Sequence, residues 1–417
     1  MAAFSPEALP LSSAEPAMPW LSIVGIGEDG RAGLSPAAAR ALDAATLVVG
    51  GRRHLDLAGP LAAETLSWPS PLHDAYPTIL ARRGRPTCVL ATGDPFHYGV
   101  GAELARLVPA HEFTGYPQPS AFSLAAARLG WPLAECACLT LHGRRLERII
   151  PHLQPGARLL VLSWDGTTPG HLADLLAARG FPDSRLTVLE AMGGARERRR
   201  GGTAATFAVA AVDPLNTVAV EVVAGPGAWI IPLTPGLDDD WFESDGQLTK
   251  AEIRAVTLSA LRPRPGQILW DVGAGSGSVS IEWCLRHPAN RAFALEASEV
   301  RAERIARNAL ALGVPDLTVV LGRAPDALAG LPAPDAAFVG GGVSDPAIIA
   351  AVLAALPSGG RLVANAVTLE SEAVLLAAYA RHGGTLRRLS VARAAPVGAL
   401  HGWRPAMPVT QWAVTKP

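Results

Sequence analysis

The sequence predicts an α/β protein of two domains, the second built on a doubly wound, mostly parallel sheet of seven strands. At 417 residues the chain is longer than one hydrophobic core usually serves. In its second half, short apolar runs alternate with helical segments, which is the pattern of parallel strands joined by crossover helices. Hydrophobic residues make up 49% of the chain and charged residues 18%, so both domains should bury compact cores.

Composition argues against several classes of protein. The formal net charge is −1, without the basic excess that general electrostatic binding of nucleic acid requires. Cys88, Cys136, Cys138 and Cys284 have neither the spacing of a metal site nor that of a secreted disulfide framework. No apolar run approaches membrane-spanning length, and residues 1–19 lack the basic start and apolar core of a signal peptide. We therefore expect a cytoplasmic protein with a disordered tail at residues 1–19 and with no metal, nucleic-acid or membrane partner.

The first domain, predicted over residues 20–223, begins with an apolar strand that ends in glycines at Gly27. Ser35 and Pro36 then begin a helix, as its N-cap and its first helical residue. The arginine-rich stretch 193–202 is predicted to be a loop, whose four arginines either bind substrate carboxylates or face solvent. Further strands are predicted at 47–51, 87–92, 159–164, 186–191 and 217–223.

Two turns in this domain follow strands and are candidates for ligand binding. Gly93-Asp94-Pro95 comes directly after the strand 87–92, and open α/β sheets bind ligands at the carboxyl ends of their strands. Gly-Asp-Pro is also a common surface turn, so this motif alone is weak evidence. A second turn at Pro119-Ser120 leads into a helix. The stretch 52–54, Arg-Arg-His, follows a glycine pair and lies either near an anionic ligand or at a solvated helix start.

A proline- and glycine-rich linker is predicted at 224–235, followed by a second domain over 236–417. That domain is organised around a glycine motif, in which Gly273, Gly275 and Gly277 follow an apolar strand and precede a helix. Glycines at such a turn allow positive φ and close approach of a ligand to the backbone, and the helix start offers unpaired N–H groups.

Two details of this motif favour S-adenosylmethionine over a dinucleotide. The spacing Gly-x-Gly-x-Gly lacks the later glycine of the dinucleotide fingerprint. Asp271 lies two residues before the first glycine, where it can meet the cationic amino end of a methionine moiety. Glu296 closes the next apolar run, at the usual distance for a ribose-binding carboxylate. The alternative is an incidental structural turn.

The remaining elements of the second domain follow the same alternation. Before the glycine motif, Thr249 and Glu252 match a capping box for a helix that continues to Leu261. The closing strands at 385–392 and 409–415, separated by a predicted loop over 396–408, should form an antiparallel edge. Between Glu296 and the closing strands, the predicted elements in chain order are a helix at 299–312, a strand at 317–321, a strand at 335–339, a helix to about 356, a strand at 361–367 and a helix from 370.

The first half resembles the tetrapyrrole methylase family of S-adenosylmethionine-dependent enzymes. The resemblance rests on Val24–Gly27, Val49–Arg52 with His54, Thr92–Gly99, Pro119-Ser120 and Leu141–Arg144. It implies a two-lobed domain with the cofactor in a cleft, contacted by Gly93, Asp94, Pro95 and Ser120. Glu28-Asp29 is a departure, because the family often has Pro-Gly after the first glycines.

The second half resembles the decarboxylating precorrin methylases of cobalamin synthesis, which have the class I methyltransferase fold. The resemblance rests on Leu248–Lys250, Asp271–Gly277, Phe338–Gly342 and Asn365–Glu370. Arg323 is a departure, because the family commonly has an aspartate there. The residues implied to contact S-adenosylmethionine are Thr249, Gly273, Ala274, Gly275, Ser276, Gly277, Glu296 and Ala324.

Over its whole length the chain resembles fused enzymes of this kind. The resemblance implies methylation of a precorrin at carbons 5 and 15, and decarboxylation of its carbon-12 acetate. Gly341, Gly342 and Asn365 are expected to line the reaction cleft, and relatives of this kind self-associate, so we expect a homo-oligomer. The candidates for binding the carboxylates of the tetrapyrrole substrate are Lys250, Arg254, Arg393, His401 and Arg404.

Two other functions remain open from the sequence. The first is an S-adenosylmethionine-dependent methyltransferase of RNA or protein, with the first half as a binding module. The second is a non-enzymatic protein that binds S-adenosylmethionine or a tetrapyrrole. The neutral charge and the absence of aromatic-basic patches count against an RNA substrate.

Overall fold

The computed structural model describes residues 19–417 and divides into two compact units. The first unit runs up to Gly143 and continues over Pro155–Gly227, and the second comprises Arg144–Gln154 and Ala228–Pro417. The division at Gly227 falls within the predicted linker, whereas the grouping of Arg144–Gln154 with the second unit has no signal in the sequence. Residues 1–18 of the predicted tail lie outside the described residues.

The first lobe of the first unit is a five-stranded sheet whose strand pairs are all parallel. The strands lie in the order third, second, fourth, first and fifth, so the carboxyl ends of the three central strands meet at one edge. In chain order, the elements are β1 (Leu21–Ile26), α1 (Pro36–Asp43), β2 (Leu47–Gly50), α2 (Arg52–Ala58), β3 (Glu64–Ser67), α3 (Tyr76–Leu80), β4 (Thr87–Thr92), α4 (Gly101–Leu104) and β5 (Phe113–Tyr116). Ser35 caps α1 as predicted, since its Oγ accepts the Ala38 N–H at 3.2 Å.

The second lobe is a mixed five-stranded sheet in the strand order 6-7-10-8-9. Its first pair is parallel and the other three pairs are antiparallel. In chain order, its elements are α5 (Ala121–Leu129), β6 (Cys136–Thr140), β7 (Arg158–Leu162), α6 (Thr168–Ala178), β8 (Arg185–Glu190), β9 (Arg198–Thr203) and β10 (Asn216–Glu221). The prediction of a loop over 193–202 is therefore wrong in part, because its second half forms the edge strand β9.

The second unit is a seven-stranded sheet with helices on both faces, in the strand order 13-12-11-14-15-19-16. The pairs that involve the last strand are antiparallel and the others are parallel, as predicted. In chain order, its elements are α7 (Ala251–Leu261), β11 (Ile268–Val272), α8 (Ser278–Leu285), β12 (Arg291–Glu296), α9 (Glu299–Ala311), β13 (Thr318–Leu321), β14 (Ala336–Val339), α10 (Pro346–Ala355), β15 (Arg361–Ala366), α11 (Leu369–His382), β16 (Thr385–Leu389), β17 (Ala392–Val397), β18 (Leu400–Pro405) and β19 (Val409–Thr415).

Side chains of the central strands alternate between two apolar cores. In β14, Ala337 and Val339 pack in one cluster with Trp270, whereas Ala336 and Phe338 pack in the other. Successive residues of a strand point to opposite faces of the sheet. The sheet is thus covered by apolar contacts on both faces, which confirms the doubly wound prediction.

Two local predictions in this unit are wrong. The predicted loop over 396–408 contains most of an antiparallel hairpin, β17–β18, which forms a separate two-stranded sheet. The N-cap of α7 is Lys250 and makes no side-chain capping bond, so Thr249 lies one residue too early for the predicted capping box. Short 3-10 helices complete the described elements at Gly30–Gly33, Leu72–Ala75, Ala110–Glu112, Leu133–Glu135, Leu146–His152, Ala204–Thr206, Asp239–Trp241 and Asp326–Leu328.

Candidate functional site

The glycine turn after β11 touches the backbone of a second glycine turn, which follows β14. The φ angles of Gly273, Gly275 and Gly277 are 71°, 61° and 78°, a region that favours glycine. A Cβ added at Gly273 would lie 2.5 Å from the Cα of Gly341. A Cβ at Gly277 would instead lie 2.7 Å from Ile305 of α9, so a glycine here allows the turn to pack closely against that helix.

A cavity of about 820 Å³ opens between these turns, at the carboxyl ends of the parallel strands of the second unit. This volume is in the range of small-molecule pockets, roughly 300–1,000 Å³. Of the predicted site residues, those that line it are Thr249, Lys250, Gly273, Ala274, Gly275, Glu296, Ala324, Gly341, Gly342, Asn365 and Arg393. The predicted residues of this unit that are absent from its lining are Arg254, Asp271, Ser276, Gly277, His401 and Arg404.

Glu296 joins the glycine turn to the cavity. It is only 6% exposed, its Oε2 accepts the Gly275 N–H at 2.9 Å, and its Oε1 accepts the Ser298 N–H at 3.0 Å. A carboxylate oxygen can accept more than one hydrogen bond. Glu296 can therefore hold the turn and still accept from ligand hydroxyls, which fits the ribose-binding role expected of it.

Asp271 is not where the sequence argument placed it. Its carboxyl lies in the core, and its Oδ2 accepts hydrogen bonds from the Ser280 N–H at 3.1 Å and the Ser280 Oγ–H at 2.6 Å. Burial, with a smaller contribution from the charge of Glu296, raises the pKa of Asp271 to about 6 despite these bonds. Asp271 thus fixes the first turn of α8 through Oδ2, and its expected contact with a cationic ligand end stays a prediction.

Arg254 also differs from its prediction as a substrate-binding residue. The side chain is fully buried, pairs with the buried Glu282, and lies 4.7 Å over the ring of Phe242. It also donates to the carbonyl oxygens of Leu237 and Thr249. A buried charge needs such partners, so Arg254 holds the chain before α7 in place and does not reach the cavity.

Two predicted cations do border the cavity, and each already has an acidic neighbour. Lys250 Nζ lies 3.7 Å from Asp239, and Arg393 makes a bidentate pair with Glu252. His401 and Arg404 lie on β18, outside the cavity lining, and do not fit the predicted substrate contact.

The far side of the cavity carries an apolar surface that sequence reasoning missed. Asn365, which the sequence did place there, is fixed, because its Nδ2 donates to Thr257 at 3.0 Å and its Oδ1 accepts from Gln411 at 3.1 Å. The other apolar lining residues come from α7, from strand ends and from the segments on either side of the hairpin, which are far apart in sequence. We call these residues the apolar wall: Ile253, Val367, Leu389, Val391, Met407 and Val409.

The turn after β13 contains the departure noted in the sequence. Arg323 and Ala324, in the turn after β13, both line the cavity. Arg323 is exposed, so the guanidinium stands where the resembled family commonly has a carboxylate. The backbone at Ala324 remains available to contact a base.

In the first unit, three loops meet backbone to backbone at the carboxyl ends of β1 and β4. A Cβ added at Gly25 would lie 1.8 Å from the Gly93 oxygen, and one at Gly93 would lie 2.8 Å from the Pro119 oxygen. The Gly93 oxygen also accepts the Gln118 N–H at 3.1 Å. The two predicted turns, Gly93-Asp94-Pro95 and Pro119-Ser120, are therefore neighbours in space.

Polar side chains of these turns already form hydrogen bonds within the protein. Asp94 Oδ1 accepts the Phe96 N–H at 2.9 Å, and Ser120 caps α5 by accepting the Ser123 N–H at 3.1 Å. Tyr98, in the same loop, has φ of 61°, a strained value for a non-glycine residue. Strain of this kind is common where a loop is shaped for a ligand.

The four arginines of the predicted loop are mostly occupied by protein partners. Arg198 and Arg200 pair with the fully buried Glu190. Arg196 pairs with Asp213 and lies 3.4 Å from Glu28, one of the two residues that depart from the resembled family. Arg199 donates to a backbone carbonyl. Their role as binders of substrate carboxylates is not supported by this geometry.

Within residues 19–417, no group of three or more His, Cys, Asp or Glu side chains is placed to hold a metal ion. Over the same residues, no helix has the length and apolar character needed to cross a bilayer.

Comparison with known proteins agrees with these two units. The model of the family described as Tetrapyrrole (Corrin/Porphyrin) Methylases matches residues 21–208, and that of the Precorrin methyltransferase domain matches residues 240–416. The precorrin-6Y C(5,15)-methyltransferase (decarboxylating) of Sinorhizobium sp is 55% identical over 409 residues, covering 97% of this chain and 99% of that protein.

Two further relatives have similar names. The protein of the same name from Mycobacterium tuberculosis H37Rv is 44% identical over 94% of this chain and 99% of its own. The crystal structure of the C-terminal domain of precorrin-6Y C5,15-methyltransferase from Rhodobacter capsulatus is 45% identical, covers 45% of this chain and 100% of its own, and has a TM-score of 0.43.

Proposed function

This chain belongs to the decarboxylating precorrin-6Y C(5,15)-methyltransferases, and on that basis we propose that it methylates precorrin-6Y at carbons 5 and 15 and removes the carboxyl group of the carbon-12 acetate. The cofactor is S-adenosyl-L-methionine. The observation that carries the proposal is the cavity of the second unit, which joins a polar glycine turn to the apolar wall.

The residues on the polar side of this cavity fit the cofactor. When bound, S-adenosyl-L-methionine supplies an electrophilic methyl group on a cationic sulfur. Gly273 and Gly275 leave room that side chains would fill, and Glu296 presents a carboxylate to ribose hydroxyls. Thr249 is not the N-cap of α7 and lines the same cavity, so its hydroxyl is available to a ligand.

The apolar wall suits a flat macrocycle with a polar rim. Its aliphatic side chains can cover the conjugated ring, while Lys250 and Arg393 stand at the same cavity to meet carboxylates. Both cations have acidic partners, so a substrate carboxylate would share or displace Asp239 and Glu252. Enclosure by this wall also excludes water from the reacting carbon.

Methyl transfer does not require a nucleophilic side chain of the protein. The electron-rich ring carbon is itself the nucleophile, so the chain has to align it with the methyl group and keep both in place. We expect Gly341, Gly342 and the fixed Asn365, which line the cavity, to do this. We assign this transfer, at carbon 15, to the second unit by its similarity to the precorrin methylases.

Decarboxylation can use the same alignment. The bond between the acetate methylene and its carboxyl carbon breaks, carbon dioxide leaves, and the electron pair enters the conjugated ring. A proton then adds to the former methylene carbon, which becomes a methyl group. The protein's part is to orient the departing carboxylate, and among the cations that line the cavity we expect Lys250 and Arg393 to do so.

We assign methylation at carbon 5 to the first unit. The support is its match to the tetrapyrrole methylases and the meeting of the Gly93-Asp94-Pro95 and Pro119-Ser120 turns at strand ends. Open α/β sheets bind their ligands at such a place.

The test is transfer of label from methyl-labelled S-adenosyl-L-methionine by the full chain. With precorrin-6Y present, we expect label in the macrocycle and none in added RNA or protein. Label that enters RNA or protein and leaves the macrocycle untouched would favour the alternative substrates over this proposal.

We further propose a cytoplasmic homo-oligomer. All four cysteines are free thiols, which fits a reducing compartment. The β17–β18 hairpin exposes Val397, Leu400 and Trp403, and an isolated two-stranded ribbon is rarely stable in water by itself. A second copy of the chain is the partner that we expect to cover this ribbon.

A further inference from the structure

The second unit has another cavity, at the edge of the sheet where β15 begins. Its volume is about 320 Å³, at the small end of the range of small-molecule pockets. Arg361, the first residue of β15, lines it, whereas Asn365 near the end of the same strand lines the larger cavity that we assign to the cofactor. Residues four apart on a strand are about 13 Å from each other, and no residue lines both cavities. The two cavities are therefore separate.

The charged groups of this smaller cavity all have the same sign. Arg262, Arg361 and Arg387 line it together with His382, and no Asp or Glu of the described residues does. The other lining residues are uncharged: Ala260, Leu362, Gly384, Thr385, Ala413, Val414 and Thr415. A concave site lined by charges of one sign raises the local concentration of counter-ions, so this cavity attracts anions. We call it the basic cavity.

Arg361 is the buried cation of the basic cavity, with only 5% of its surface exposed. It donates to the last carbonyl group of α7 and to a glutamine side chain, both of which are uncharged. Burial lowers the pKa of Arg361, and Arg264 and Arg262 lower it further, against the opposing effect of Asp335. The guanidinium is thus fixed in place next to other cations.

Arg262 and Arg387 have no partner in the protein. Both are exposed, and over residues 19–417 neither side chain makes a hydrogen bond or an ion pair. Arg262 follows α7 with φ of 50°, a left-handed conformation that glycine usually supplies at a helix end. An arginine at this position has a conformational cost that no hydrogen bond or ion pair of its side chain offsets.

The arrangement differs from that of scattered surface arginines. Water solvates a single exposed guanidinium, and such a residue needs no other partner. Three guanidinium groups around one small cavity repel one another, and an anion between them replaces this repulsion with attraction. The same groups match the oxygens of a phosphate in geometry, and bidentate bonds of this kind are strong.

We propose that the basic cavity binds the phosphate groups of a small oxyanion such as diphosphate, held by Arg262, Arg361 and Arg387. His382 is the one ring in the lining, among the described residues, that could stack on a base, and the cavity is small, so diphosphate fits better than a whole nucleotide. The site is independent of the proposed methylations, since none of its residues lines the larger cavity.

The test is calorimetric titration of the full chain with sodium diphosphate at constant ionic strength, with S-adenosylhomocysteine saturating the cofactor sites. We expect the double variant Arg262→Gln with Arg387→Gln to raise the Kd at least about tenfold, because bonds between charged groups are lost. Arg106→Gln with Arg185→Gln removes the same charge from two exposed arginines outside both cavities and should leave the Kd unchanged.

Unchanged affinity of the Arg262/Arg387 variant for S-adenosyl-L-methionine would show that it is folded. Failure of the wild type to bind diphosphate at millimolar concentration, or an equal loss of affinity in both double variants, would overturn the inference. Adenosine 5′-diphosphate should bind no more tightly than diphosphate. A clear preference for the nucleotide would overturn the assignment of the cavity to phosphate groups alone.

Discussion

Glu296 shows how one side chain serves both the fold and the site. Its two oxygens accept backbone N–H groups from Gly275 and Ser298, and its position at the end of β12 places it at the cavity. The glycine turn is thus shaped before any ligand arrives, by the residue that we expect to bind ribose. Preorganisation of this kind lowers the cost of ordering the turn on binding.

Replacing this carboxylate should weaken cofactor binding. In Glu296→Gln the amide nitrogen cannot accept, so a backbone N–H and a ribose hydroxyl compete for one oxygen. We expect the dissociation constant of the second unit for S-adenosyl-L-methionine to rise at least about tenfold in calorimetric titration. Glu299→Gln, three residues on at the exposed start of α9, is the control. Wild-type affinity in Glu296→Gln would place the ribose elsewhere.

Asp271 predicts a pH dependence of stability. Burial raises the pKa of this carboxyl to about 6 in the folded protein, from an ordinary value of 3.8. The folded state therefore holds the proton more tightly, and the free energy of unfolding falls as pH rises from about 4 through about 6. The shift corresponds to a loss of about 3 kcal/mol. Asp271→Asn should remove this slope in urea unfolding of the ligand-free protein between pH 4 and 7.

The control for that experiment is Asp326→Asn, an exposed carboxyl at the start of a 3-10 helix. It should keep the wild-type dependence on pH. If Asp271→Asn also kept it, Asp271 would not be the titrating group.

Among the elements, the β17–β18 hairpin is the one that should respond to association. Leu400 is 75% exposed and Trp403 is 77% exposed, both on β18. In Leu400→Ser with Trp403→Ser, we expect a smaller assembly by light scattering at the protein concentration where the wild type is oligomeric. Val300→Ser, an equally apolar exposed change on α9, should leave the assembly intact. Equal masses for all three proteins would exclude the hairpin as the interface.

The elements that could be predicted are those whose own residues determine them. The strand–glycine–helix order around Gly273 and the Ser35 cap of α1 are local signals, and both were found from sequence. Strand β9 was missed because its Gly201 and Gly202 are poor strand residues, and because the pairing of Arg198 and Arg200 with the buried Glu190 is a tertiary contact. The hairpin was missed because Pro396 and Pro405 read as loop residues.

Part of the candidate site, like part of the fold, could be predicted from the sequence. Glu296 was placed by its distance from the glycine motif and Thr249 by the family resemblance, and both line the cavity. The apolar wall was missed because the fold assembles it from residues far apart in sequence, such as Ile253 on α7 and Val409 on β19. Arg254 was misplaced because spacing cannot distinguish an arginine that faces a ligand from one that pairs with a buried Glu282.

At the scale of the whole molecule, the two cofactor sites that we propose, one in each unit, predict a binding stoichiometry. The wild-type chain should bind two molecules of S-adenosyl-L-methionine in calorimetric titration. Gly275→Val places a side chain at a φ of 61° in the turn that lines the cavity, and we expect one molecule bound. Gly266→Val, at another positive-φ turn outside the cavity lining, controls for backbone strain and should still bind two. A stoichiometry of one in the wild type would leave one unit without a cofactor.

The most direct measurement is the mass of the product formed from precorrin-6Y by the full chain with S-adenosyl-L-methionine. The account predicts a macrocycle that has gained two methyl groups and lost one carbon dioxide. A product with one added methyl group and its carbon-12 acetate intact would contradict the claim that this chain carries out both methylations and the decarboxylation.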